Sequence, residues 1–438
     1  MKNFPTLGIL LFLPLIATAT TLRLEGNRAW LSANNTPLPK VLELFEQRGV
    51  KVLIDPSVAT KCISGNWENT IVDRLLDQLA SPHSYIIERQ KIDSPLGTLY
   101  SISTIRIFSD GNAAAAQPLS NKERILDIVT GTNGIKYIRG EIMVGFNERS
   151  SIDDLNALLR KINGTVIEVI DPPGIYRIKL NDGLSVEEAL ALAATQKGVE
   201  NIEPNLAFPS IENSSIPTSG TSGGINLHLQ PGETAVAVFD SGLDPQYANL
   251  PFIRGTYNAL DPSQPISDPI GHGTLVAMIA SGAITPLGAE PPKTGVPVLA
   301  IRTFDKNGYT SSDILIRAID YAIDSGIKII NMSWGSEVDS TFMEAAMNYA
   351  LQNDISLYAA VGNKNTGRPI FPAASPGVIG VGGLDENGEI WKKSNEGEFV
   401  DRYAPAIAYF NGQRYEGTSL SGPYASYEDA SLKNNTEK

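Results

Sequence analysis

Three short segments, Asp240-Ser241-Gly242, Gly271-His272-Gly273-Thr274 and Gly417-Thr418-Ser419, supply a carboxylate, an imidazole and a hydroxyl in that chain order. These are the acid, base and nucleophile of a serine hydrolase. A serine hydroxyl is a poor nucleophile until a base within hydrogen-bond reach takes its proton, and that base needs a partner to hold the right tautomer. Each segment sets glycine or another small residue beside the reactive side chain, which is what close approach of backbone and substrate requires. Taken singly, each is also an ordinary turn or loop; the joint order carries the reading.

The elements around these segments must hold them. Apolar runs at 235–239, 298–301, 327–332, 355–361 and 378–381 read as strands buried on both faces, the signature of a parallel sheet. Between them, 313–325 places Ile314, Leu315, Ala318, Ile319, Ala322 and Ile323 on one helical face and stops at Gly326. A second helix over 340–353 presents Met343, Ala346, Met347, Ala350 and Leu351. Functional groups in such sheets gather at the carboxyl ends of strands, and Asp240 directly follows the strand ending at Phe239.

The segments "AVAVFDSGLD", "GHGTLVAMIASG", "IINMSWGS", "AAVGNKN", "FPAASPGVIGVGG" and "GTSLSGP" follow one another as in the subtilisin family of serine endopeptidases, and the resemblance covers roughly residues 228–425. It implies Ser419 as nucleophile, His272 as general base and later acid, and Asp240 as the carboxylate that supports the imidazolium. It also implies Asn363 as the side chain of an oxyanion hole, with the Ser419 backbone N–H at a helix start. Ser333-Trp334-Gly335 matches the family's substrate-binding edge, where an extended peptide adds as a strand; plain strand-to-loop packing is the alternative. Trp334 is bulky for that place and is expected to narrow a subsite. The implied fold class is α/β, a three-layer domain with a mostly parallel sheet. Protein or peptide substrates are implied, and no cofactor is needed for the chemistry.

Upstream, Lys2, an apolar run over 7–16 and Ala17-Thr18-Ala19 read as an export signal over residues 1–19, with a run too short to serve as a membrane anchor. Residues 20–110 read as a small α+β domain, with Thr36-Pro37 opening a helix that carries Leu38, Val41, Leu42 and Phe45, and a second helix around Ile71, Leu75, Leu76 and Leu79. The stretches "TPLPKVLELFEQRGVKVLIDPSV" and "ISGNWENTIVDRLLDQLA" resemble the short N-terminal domain of secretins and TonB-dependent receptors, which implies a cell-envelope partner; a generic βαβ unit is the alternative. An alanine run and "GTNG" mark a linker over 111–135. Residues 136–206 then read as β-α-β-β-α-β, a ferredoxin-like pattern, with Ser185 and Glu188 as a capping box. "GEIMVGF", "GIYRIKL" and "VENIEPN" resemble the propeptide of subtilisin-like proteases, which implies a domain that inhibits its own enzyme through its C-terminal tail and is then cut away. A Ser/Thr/Gly/Pro-rich linker over 207–227 is either that cut site or an ordinary tether. The protease domain is then 228–438.

The net charge of −13 argues against a nucleic-acid partner. The single cysteine, Cys62, forms no intrachain disulfide, and His83 and His228 lack motif context. No metal motif stands out: Asp305-Lys306-Asn307-Gly308 reads as a tight turn, although the resemblance leaves structural calcium open. One departure stands against the family pattern. After Pro423-Tyr424-Ala425-Ser426 the chain turns to Tyr427-Glu428-Asp429 and "SLKNNTEK", so the helix after Ser419 is expected to turn polar and leave apolar neighbours uncovered. This raises a rival reading, an inactive, C-terminally shortened protein acting as an envelope binding module, beside that of a secreted, self-processing endopeptidase.

Overall fold

The computed structural model describes residues 20–119, 123–172, 174–181, 183–210, 225 and 227–436. The export signal and most of the 207–227 linker lie outside the described residues. The chain divides into two compact units, residues 1–93 with 98–121 and residues 94–97 with 122–438.

The first unit runs β1 (Thr21–Glu25), β2 (Arg28–Pro37), α1 (Leu38–Glu46), β3 (Lys51–Ile54), β4 (Cys62–Ile71), α2 (Val72–Ala80), β5 (Ser84–Ser94), β6 (Gly97–Phe108) and β7 (Gln117–Pro118). Its strands form two sheets, β1-β2-β4 and β5-β6-β3-β7. The two helices bury Leu38, Val41, Leu42 and Phe45, and Val72, Leu75, Leu76 and Leu79, into one core. Pro37 stands at the N-cap of α1, one residue earlier than the expected first helical position.

The second unit opens with β8 (Ile128–Thr130), β9 (Lys136–Phe146), α3 (Ile152–Ile162), β10 (Gly164–Ile170), β11 (Ile175–Leu180), α4 (Val186–Ala193) and β12 (Val199–Pro209). The order β10-β11-β9-β12, antiparallel throughout, is the ferredoxin-like arrangement. Both helices open on capping boxes, Ser151 with Asp154 and Ser185 with Glu188. β8 pairs with β9 although it falls in the stretch read as linker, because Ile128 and its neighbours find partners only when the chain returns. At the other end β12 runs on past 206: its last three residues pair antiparallel with Tyr309–Ser311.

The rest of the unit is β13 (Val236–Asp240), β14 (Ile253–Asn258), α5 (His272–Ala280), β15 (Val298–Arg302), β16 (Tyr309–Ser311), α6 (Ser312–Asp324), β17 (Ile329–Met332), α7 (Thr341–Gln352), β18 (Ser356–Ala360), β19 (Val378–Leu384), β20 (Arg402–Pro405), β21 (Ile407–Phe410), β22 (Gln413–Glu416) and α8 (Thr418–Thr436). Seven strands form a wholly parallel sheet in the order β14-β15-β13-β17-β18-β19-β20. One core cluster joins α6 and α7 to one face of this sheet, and a second joins α5 and α8 to the other, giving three layers. Ala237, Ile330 and Leu357 of the first and Val236, Ile329 and Val381 of the second are fully buried, and each large aliphatic so placed contributes about 1.5–3 kcal/mol.

The helix after Ser419 departs from expectation. α8 continues as one helix to Thr436, and its polar residues are tied down. Arg402 pairs with Glu428 at 2.6 Å and Asp429 at 3.2 Å, and the Tyr358 hydroxyl donates to Asp429. Tyr427 donates to the Thr294 carbonyl at 3.2 Å, and Asn434 grips the backbone of Thr234, accepting from its N–H at 2.6 Å and donating to its carbonyl at 3.0 Å. Tyr424, Ala425, Tyr427 and Ala430 meanwhile lie in the core with α5. Tyr424, Ala425, Tyr427 and Ala430 are therefore covered, Leu432 stays exposed, and Glu428, Asp429 and Asn434 are bonded.

Candidate active site

Asp240 is the last residue of β13, and its carbonyl accepts from Thr303 N–H at 2.8 Å, which pins the strand end to the segment after β15. His272 is the first residue of α5, entered through Gly271 in the left-handed conformation, φ 84°. The two side chains meet: His272 Nδ1 lies 2.8 Å from Asp240 Oδ1, and both residues are buried. The same oxygen accepts from Ser241 N–H at 2.7 Å. The approach is close enough to demand glycine, since a Cβ on Gly273 would run into the Gly242 backbone and one on Gly242 into the Ser267 carbonyl.

Ser419 stands in the first turn of α8, which packs against α5. Its backbone N–H is among the first four of the helix, which have no partner within the helix and lie at its positive end. Pro423, inside α8, has no N–H to give the Ser419 carbonyl four residues back. The Ser333 hydroxyl supplies that bond at 2.9 Å, and Asn331 Nδ2 donates to the Ser333 oxygen at 2.9 Å. Ser333, read as part of a substrate edge, thus also holds the turn that carries Ser419.

Asn363 follows β18. Its Oδ1 accepts both the N–H, 2.9 Å, and the hydroxyl, 3.0 Å, of Thr418. Two donors at one atom assign that atom as oxygen and fix the Nδ2 donor on the opposite side. Thr418 Oγ1 in turn accepts from Gly362 N–H at 3.1 Å, so the loop carrying Asn363 and the turn carrying Ser419 are one bonded body.

Trp334 and its neighbours meet the end of β12. Ser210 forms an antiparallel bridge with Trp334, and Ser210 N–H donates to the Gly308 carbonyl at 2.8 Å. The chain over 207–210 therefore lies as a strand between β16 on one side and Trp334 on the other. Sequence reading named one edge, Ser333-Trp334-Gly335, and missed the other, Gly308 to Ser311; "GYTS" is too short and too polar for a strand signal. Trp334 is buried, its ring 5.5 Å from that of Phe208, beside a small cavity lined by Val338, Met343, Met347 and Phe371.

The contact between the ferredoxin-like domain and the protease domain is rich in charge. Asp313, fully buried at the start of α6, faces Arg177 at 2.9 Å, Arg317 at 3.2 Å and Arg124 at 3.6 Å, and accepts from Asn205 Nδ2 at 2.8 Å. Arg177 also meets Glu141 at 2.9 Å and Glu168 at 2.8 Å, and Arg317 meets Glu168 at 2.6 Å. Burial works to raise the Asp313 carboxyl, but Arg177, Arg124 and Arg317 outweigh it and hold it far below the carboxylate range. At the start of α7, Glu203 accepts from the Ser340 hydroxyl at 2.5 Å. There burial wins over the hydrogen bonds, and the Glu203 carboxyl is pushed up to about 7.

Among the described residues no group of three or more His, Cys, Asp or Glu stands together to hold a metal. The Asp305 carboxylate accepts from the backbone N–H groups of Asn307, Tyr309 and Leu126 at 2.9–3.0 Å, which suits a turn and not a cation cage. No helix among the described residues is long and apolar enough to cross a membrane.

Residues 232–437 match the subtilase family, peptidase S8, and residues 123–205 match the fervidolysin N-terminal prodomain. The chain is 28% identical over 337 residues to a thermophilic serine proteinase of Bacillus sp. (strain AK1), covering 71% of this chain and 82% of that protein. It is 28% identical over 322 residues to fervidolysin of Fervidobacterium pennivorans, covering 62% of this chain and 46% of the relative. The crystal structure of fervidolysin superposes with a TM-score of 0.54 at 23% identity, over 69% of this chain and 55% of that one, and shares the fold. Residues 232–437 are therefore a serine endopeptidase domain similar to the subtilase family, and residues 123–205 are similar to the N-terminal prodomain of fervidolysin.

Proposed function

We propose that the chain is an exported serine endopeptidase, made as a precursor that cuts itself, with Ser419 as nucleophile, His272 as general base and acid, and Asp240 as its orienting carboxylate. The observation that carries this reading is the prodomain tail over 207–210, held as a strand between Tyr309–Ser311 and Trp334 in the manner of a substrate. In the reaction, Ser419 Oγ attacks the peptide carbonyl carbon while its proton passes to His272 Nε2. The Nδ1–H bond to Asp240, 2.8 Å, steadies the imidazolium that forms. Asn363 Nδ2 and the Ser419 N–H stabilise the oxygen as it gains charge. His272 then returns the proton to the leaving amine, and water repeats the sequence on the acyl-enzyme. Ser333-Trp334-Gly335 and Gly308 to Ser311 are the two edges that receive an extended substrate.

On this reading the prodomain is the first substrate and first inhibitor of its own enzyme, and the cut falls in the linker beyond Ser210. Residues 20–110 act as a separate envelope-binding module of the secretin and TonB short-domain type, which puts the protein in the periplasm or the medium. The test is intact mass against time for the precursor and its Ser419→Ala variant, with a fluorophosphonate probe on both. Cleavage and labelling in the wild type alone support the reading; a folded wild type that neither cleaves nor labels overturns it.

A further inference from the structure

Asp268 is a fully buried carboxylate that none of the motifs above includes. Its Oδ1 accepts from the Ser241 hydroxyl at 2.7 Å and from Gly271 N–H at 2.8 Å. Its Oδ2 accepts from Thr274 N–H at 2.8 Å and from the Thr274 hydroxyl at 2.6 Å. Each hydroxyl is itself an acceptor: Ser241 Oγ takes Gly273 N–H and Thr274 Oγ1 takes Asp244 N–H, both at 2.8 Å. A hydroxyl has one proton to give, so both protons are available to Asp268, with Asp240 Oδ1 a longer alternative for Ser241 at 3.3 Å. Every group that Asp268 meets in this set is a donor, which is the environment of an ionised carboxylate.

We propose that Asp268 is a positioning residue for the Asp240–His272 pair. It ties the loop after β13 to the first turn of α5 and adds a second buried negative charge behind the imidazole. Three of the amides at the start of α5, those of Gly271, Gly273 and Thr274, end on Asp268 or on Ser241, and His272 sits among them. Ser241 relays the hold, since its own N–H shares Asp240 Oδ1 with the imidazole. The other charged groups nearby are already engaged. Asp244 accepts from Gln246 N–H and Nε2, and Arg302 binds Ser267 Oγ and pairs with Glu123. The first turn of α8 carries no charge. Burial and the Asp240 charge push the Asp268 carboxyl upward, and the bonds from Thr274 and Ser241 work against that push.

This inference rests on the proposed catalytic roles of Asp240 and His272, and the wild-type control separates the two. Asp268→Asn turns one acceptor oxygen into a donor facing donors. In mature enzyme from the full chain, kcat should fall about 10- to 100-fold with KM unchanged, because Asp268 touches neither substrate edge. The acidic limb of the kcat/KM profile should move to lower pH, since losing a buried negative charge disfavours the imidazolium. Ser241→Ala, which keeps the charge, should lower kcat less and leave that limb in place. If Asp268→Asn fails to fold, Ser241→Ala and Thr274→Val carry the test, and wild-type kcat in both overturns the proposal. A folded Asp268→Asn with unchanged kcat and unchanged limb overturns it too. A wild type without activity or fluorophosphonate labelling instead removes the catalytic assignment beneath it.

Discussion

Two buried polar networks lie in the same unit and are balanced by opposite means. Where the prodomain meets the protease domain, Arg124, Arg177 and Arg317 face Glu141, Glu168 and Asp313 as full charges. Around the proposed catalytic pair, Asp240 and Asp268 take their bonds from backbone N–H groups, hydroxyls and the imidazole. The difference follows from what each must do. Asp313 and Arg317 on one side and Arg177 and Glu141 on the other belong to domains that processing would separate, and water can rehydrate each half when they part. The dipole-held carboxylates must keep one geometry and one potential through every turnover, and fixed dipoles do that without a side chain that competes for His272.

The comparison breaks hardest at Asp240. Asp240→Asn removes the acceptor that selects the tautomer and supports the imidazolium, so kcat should drop on the order of 10⁴-fold, read by single-substrate kinetics on mature enzyme. Arg177→Met attacks the other network. It leaves Asp313, Glu141 and Glu168 buried with too little positive charge, and the precursor should lose about 3–5 kcal/mol in denaturant unfolding. Because Arg177 lies in the prodomain, whatever mature enzyme forms should keep its wild-type kcat; a lowered kcat would show that the two networks are coupled.

A pH titration sharpens the same contrast. Glu203, with its carboxyl raised by burial from 4.5 to about 7 and bonded to Ser340 of the protease domain, should bind its proton more tightly with the prodomain docked than free. The resulting stabilisation is full below about 4.5 and is lost as pH rises through about 7, so docking should weaken across that window. Co-elution of cleaved prodomain with the protease domain at stepped pH measures it. Glu203→Gln should flatten the profile, and a slope that persists in the variant would place the titration elsewhere.

The reach of sequence reading differs between the two networks for a physical reason. The parallel strands at 235–239, 298–301, 327–332, 355–361 and 378–381 announce themselves because burial on both faces leaves continuous apolar runs. The sheet edges β14 and β20 do not, since "IRGTYN" and "RYAP" mix polar and charged residues into the run and are broken by glycine and proline. Asp240, His272, Ser419 and Asn363 sit in local motifs that spacing can display. Asp268 lies four residues before His272 in "SDPIGHG" and looks like a turn residue until its bonds to Ser241 and Thr274 are seen. The interface ions are spread from Arg124 to Arg317, and no local pattern joins them. The segment around Glu123 to Leu126 reads as linker for the same cause, its partners Arg302, Leu260 and Asp305 being far along the chain.

The end of α8 supplies the smallest and most discriminating effect. Its polar composition suggests a helix that frays, yet the Asn434 amide meets both backbone groups of Thr234, at 2.6 and 3.0 Å, just before β13 begins. This staples the far end of the strand that presents Asp240. Asn434→Ala would leave the buried Thr234 N–H and carbonyl unpaired and should cost about 1–3 kcal/mol of stability in the mature enzyme. Thr234 is six residues from Asp240, and the strand between them is held on both sides by β15 and β17, so kcat at 25 °C should be unchanged. A thermal melt paired with kinetics checks both halves. If kcat falls with stability, the strand transmits disorder to its carboxyl end, and the dipole-held network depends on the outer helix as well as on its own bonds.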